Sequence, residues 1–134
     1  MRIDKVAVPP GLIASGKTYT LILQDDGLYV LHTGPAGRDV RTRGLAEYAA
    51  VSLVRNAQAK KIAAGEARVD NTPLDELVKE KHNKFIRKDE IESLQLNKGM
   101  PPILKFVSRQ GKYRFHFTAT PREVVEEFVE KLQS

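Results

Sequence analysis

Apolar residues in the last third of the chain recur at every second position in three short runs, then switch to helical spacing. Ile91–Leu96, Ile103–Val107 and Tyr113–Phe117 therefore predict strands, with turns at 97–102 and 109–112. In the last run Tyr113, Phe115 and Phe117 share one face, and Arg114, His116 and Thr118 share the other. Pro121–Leu132 then predicts an amphipathic helix. Val124, Val125, Phe128, Val129 and Leu132 lie on one arc, and Glu123, Glu126, Glu127, Glu130 and Lys131 lie on the other. Thr120 has the position of an N-cap, with Pro121 at the first helical position and Glu123 completing a capping box. The apolar arc of this helix is expected to cover the aromatic face of the sheet.

Earlier in the chain, residues 3–8 alternate weakly and stop at Pro9-Pro10. Tyr19, Leu21 and Leu23 return to period two, and Asp26-Gly27 predicts a hairpin turn within Thr18–His32. Leu45 to about Ala64 is alanine-rich and predicts a helix ending near Gly65. Its apolar residues spread over two faces: Tyr48, Val51, Val54 and Ile62 lie apart from Leu45 and Leu53. Thr72-Pro73-Leu74-Asp75 signals a second, short helix, with Thr72 as N-cap and fraying expected near His82-Asn83. The two sheet halves are each too small to stand alone. The chain is thus expected to be one domain, 1–134, with residues 42–82 as a helical insertion.

Composition narrows the class without naming a function. The chain has 134 residues, enough for a core without staples, and lacks cysteine, which removes disulfides and thiolate chemistry. No apolar run approaches the roughly 18 to 20 residues of a membrane span, and the charged N-terminus lacks a signal-peptide block, so a cytoplasmic location is expected. The net charge of +5, from 22 basic and 17 acidic side chains, leans toward anionic partners.

Candidate chemistry is sparse. Gly11-Leu12-Ile13-Ala14-Ser15-Gly16-Lys17-Thr18 matches the phosphate-loop spelling. That loop needs a strand before it and a helix starting at its Lys-Thr; here Pro9-Pro10 precedes it and a β pattern follows, so nucleotide binding is only the alternative reading. His32, His82 and His116 show no ligand spacing, Asp25-Asp26 fits a turn, and no serine has a nucleophile-elbow surround. No catalysis, cofactor or metal is expected. Lys79, Lys81, Lys84, Arg87 and Lys88 form the densest basic run, with Phe85 and Ile86 inside it, and are the candidate anion or partner patch. Glu80, Asp89, Glu90 and Glu92 dilute that charge. Weak nucleic-acid binding through Lys79–Lys88 is a further alternative, and a disfavoured one.

The phrase Phe85-Ile86-Arg87-Lys88-Asp89-Glu90-Ile91-Glu92-Ser93-Leu94-Gln95-Leu96, the glycine turn at Gly99, the next hairpin and the terminal helix resemble the pleckstrin-homology-like superfamily, in a bacterial-type form with a helical insertion. The resemblance implies an α+β domain: a bent antiparallel sheet or partial barrel with a C-terminal helix plugging one end. It also implies a non-catalytic binding module for a protein or peptide partner, with an anionic membrane surface as an accompanying contact. Only Lys17 lies between Gly11 and His32 where lipid-binding members carry several cations, so phosphoinositide binding and family site residues do not transfer.

Overall fold

The computed structural model describes residues 1–9, 16–35 and 59–134. Its strands are β1 (Arg2–Val8), β2 (Lys17–Leu23), β3 (Gly27–Pro35), β4 (Lys84–Arg87), β5 (Ile91–Leu96), β6 (Ile103–Ser108) and β7 (Gly111–His116). The helices are α1 (59–71), α2 (Leu74–Leu77) and α3 (Arg122–Gln133). The strands form one antiparallel sheet in the order β4-β3-β2-β1-β7-β6-β5. The sheet bends without closing, because β4 and β5 stand at its two ends although a single 3-10 turn, Lys88–Glu90, joins them. An α+β fold with a bent antiparallel sheet and a C-terminal helix is what the alternation predicts.

The inner face of the bend is the main core. Val6, Tyr19, Leu21, Leu28, Val30, Ile86, Leu104, Phe106, Phe115 and Phe117 line it, and Val125, Phe128 and Leu132 of α3 fill it. Phe117 and Phe128 meet with ring centroids 6.1 Å apart. Alternation thus does what the sequence pattern requires: one set of positions meets α3, and the glutamates of α3 remain exposed.

A second, smaller core lies outside β2 and β3, where Leu31, Val69 and Leu77 pack with Ile22, Tyr29 and Leu74. Here α1 runs through Gly65 to residue 71, where the sequence suggested an end. The reason is steric. A Cβ on Gly65 would stand 2.0 Å from the Thr33 carbonyl oxygen, so only glycine lets the helix lie this close to β3.

Other expectations need correction. Neither Thr72 nor Thr120 caps its helix; Pro73 and Pro121 occupy the N-cap positions in extended conformation, without a side-chain cap. The segment near Asn83 is pinned, since Asn83 accepts from the His32 amide at 2.7 Å and donates to the Leu77 carbonyl at 2.8 Å. β1 carries an unforeseen bulge between Ile3 and Val6. Lys5 there adopts φ 57°, and its ammonium lies 3.3 Å from Glu66 of α1. The predicted irregular step after Ile91 is a register shift between Ile91 and Ser93. Residues 42–58 of the expected insertion lie outside the described residues.

Candidate functional site

The basic run does not form one patch. Lys79 and Lys81 sit exposed between α2 and β4, and Glu80 between them is taken by Arg68. Lys84 turns to the open rim of the bend, 6.0 Å from the Tyr113 ring centre and 3.3 Å from the Gln110 carbonyl. Arg87 pairs with Asp89 at 3.0 Å. Lys88 reaches the C-terminus of α3, 3.5 Å from the Ser134 carbonyl. Period-two alternation sets Lys84 and Arg87 on opposite faces of β4, and Lys88 opens the 3-10 turn that follows.

At the rim the fold assembles a cluster that sequence spacing did not reveal. β4 pairs with β3 so that Val30 faces Lys84; extending that register by two residues sets His32 opposite His82. Their rings lie 5.5 Å apart. Tyr19, the neighbour of His32 across β2–β3, stands edge-on to it at 5.8 Å and to Tyr113 at 6.3 Å. Lys17 Nζ approaches His82 Nδ1 at 3.5 Å. Burial, helped by the neighbouring charges of His82 and Lys17, lowers the His32 pKa. Burial, with a smaller contribution from Tyr113, pushes the Tyr19 hydroxyl up to about 12. Neutral His32 and protonated Tyr19 are therefore the resting forms near pH 7, and both can take part in hydrogen bonds. Among the described residues no group of three or more His, Asp or Glu side chains could hold a metal ion.

Lys17 and Thr18 open β2 as strand residues, and Thr18 Oγ1 donates to the Pro35 carbonyl at 2.9 Å. A phosphate loop needs a helix to begin at this Lys-Thr pair, and the pair is committed to the sheet. The rest of the motif, 11–15, lies outside the described residues.

A different feature stands at the far end of the sheet. Among the described residues β5 pairs with β6 on one side only, and its other edge runs beside the C-terminal turn of α3. Lys88, Ile91, Glu92, Ser93, Leu94, Leu132 and Gln133 line a cleft of about 280 Å³ between them. Ile91 and Leu94 are half-buried against the core. Among the described residues the cleft therefore combines unpaired strand backbone with a mixed lining, in which Ile91, Leu94 and Leu132 stand among Lys88, Glu92, Ser93 and Gln133. Sequence reading placed β5 and α3 correctly but could not see that they border each other.

Set against family models, curated proteins and solved structures, the chain matches none. No helix among the described residues is long and apolar enough to cross a membrane.

Proposed function

We propose that this chain is a non-catalytic binding module, cytoplasmic, that takes an extended peptide of a protein partner along the free edge of β5. The observation that carries the reading is the six-residue edge beside α3, unpaired among the described residues and next to half-buried Ile91 and Leu94. A peptide laid there would gain main-chain hydrogen bonds from β5 and set alternate side chains over Ile91, Leu94 and Leu132. A bent antiparallel sheet with a C-terminal helix is also what the resemblance to the pleckstrin-homology-like superfamily implies. Met100, exposed by 79% beside Lys98 at the β5–β6 turn, favours a membrane-apposed setting as a second contact. Nucleotide binding is not part of the proposal, because Lys17 and Thr18 belong to β2.

The experiment is selection of binders from a random displayed-peptide library, followed by amide mapping of the winning peptide by NMR. Shifts and slowed amide exchange along Ile91–Leu96 and at Leu132–Gln133 are expected. Shifts confined to the rim around His32, or an absence of binders, would remove the reading.

A further inference from the structure

The outer face of β6 and β7 carries a charge arrangement that folding alone disfavours. Lys105 stands directly opposite Arg114 in the β6–β7 register, and Lys112 and His116 flank Arg114 on the same face. Side chains opposed across antiparallel strands have Cβ atoms about 4.5 to 5.5 Å apart, and like charges in such a pair destabilise the sheet. Lys105, Lys112 and Arg114 are exposed, and none of them joins a salt bridge or donates a hydrogen bond among the described residues. The other paired positions of the face, Ser93 and Gln95 on β5 and Ile103 and Val107 on β6, are neutral, and among the described residues the one acid beside them is exposed Glu92 at the β5 register shift. A shallow depression of about 350 Å³ sits between Gln95, Ile103, Lys105 and Arg114. The charge is felt locally, since Arg114 adds to burial in lowering the pKa of His116, whose Nε2 is buried without a partner.

We infer that this face binds an acidic, extended polypeptide segment, whose carboxylates lie over Lys105, Arg114 and Lys112. Successive outward residues of an extended chain are about 7 Å apart, which is also the spacing of Lys112 and Arg114 along β7. Arginine and lysine together offer a forked and a point donor to such carboxylates. A polypeptide fits better than the other polyanions. The face presents no aromatic ring on which a base could stack, because Tyr113, Phe106 and Phe115 all point inward. It also lacks an exposed large apolar side chain to enter a bilayer: Met100 lies on the β5–β6 turn, outside the face. The inference goes beyond strand addition at β5, and either can fail while the other stands.

The test is fluorescence anisotropy with a labelled glutamate–serine repeat peptide and its glutamine–serine counterpart, at low and at physiological salt. The double variant Lys105→Glu/Arg114→Glu is compared with Lys60→Glu/Lys61→Glu, which makes the same charge change on exposed positions of α1. Binding of the glutamate peptide alone, weakened by salt and reduced by about tenfold or more in the sheet variant but not in the α1 variant, is expected. The single change Lys105→Glu replaces a like-charge pair by an opposite one. It should therefore weaken binding while leaving the melting temperature equal or higher, which separates lost contact from lost fold. Equal loss in both double variants would mean diffuse charge and would overturn the inference. Tighter binding of a single-stranded oligonucleotide, or of phosphatidylserine vesicles, would do the same. So would concentration-dependent self-association abolished by the sheet variant, since the occupant would then be another copy, with the acidic arc of α3 as its contact.

Discussion

The two halves of the sheet share an inner core and differ in what lies outside it. Outside β2 and β3 the chain places Ile22, Tyr29 and Leu31, and α1 and α2 cover them, with Gly65 letting the helix backbone close against Thr33. Outside β6 and β7 it places Ile103, Lys105, Val107, Lys112 and Arg114, and the cations stay exposed. Burial of apolar area accounts for the first half at about 25 cal/mol per Å². No comparable term accounts for the second, where the opposed cations raise the energy of the fold. A region built against its own stability is where a partner's contribution is expected.

The largest test concerns the layer common to both halves. Phe128 is fully buried against Phe117, so Phe128→Ala should cost about 3 to 5 kcal/mol, against a negligible change for the exposed Glu127→Ala. Urea midpoints decide it, and amide exchange should accelerate in β3 and β6 alike. If only β6 and β7 loosen, the halves do not share one core.

A smaller change should separate the halves. Gly65→Ala gains helix propensity but drives a methyl into the Thr33 carbonyl, for a net loss of about 1 to 3 kcal/mol. Exchange should rise in β3 and α1 and stay unchanged in β6. A stabilised protein would show that α1 does not rest on β3 as described.

The smallest effect is that of pH. His32 at the rim and His116 on the bare face both have pKa values lowered from 6.5, in each case chiefly by burial. Below about 6.5 the unfolded chain then binds more protons than the folded one, so stability is complete above that pH and declines as pH falls toward the folded values. Denaturation midpoints between neutral pH and about pH 5 should show the slope. His32→Gln and His116→Gln should each remove part of it. A flat profile in the parent protein would show that neither ring is desolvated.

Much of this fold was legible in the sequence because alternation and helical periodicity report directly on which side of an element is buried. Tyr19, Leu21 and Leu23, or Val125, Phe128 and Leu132, announce their faces without any partner being known. The sites were less legible. The pairing of His32 with His82 follows from the β3–β4 register, which no local pattern specifies. Gly65 reads as a helix end by composition, and only the approach of Thr33 explains its place in mid-helix. The basic run Lys79–Lys88 is continuous in sequence, but the pleat of β4 and the local partners Glu80, Tyr113, Asp89 and Ser134 give its cations different surroundings. The opposed pair Lys105 and Arg114 is nine residues apart and becomes a feature only once the hairpin is in register.

Gln110 closes the account of the sheet's two ends. Its side-chain amide donates to the Phe85 carbonyl of β4 at 2.8 Å and to Glu90 at 3.0 Å. β4 is four residues long and carries Lys84 and Arg87 at its limits, so one end of the sheet is short, charged and partly occupied. The other end, β5, is longer and open. With β5 the one receptive edge among the described residues, two copies can join edge to edge, and the pair then exposes the blunt β4 ends. Strand exchange between copies would stop at two and could not propagate into a fibre.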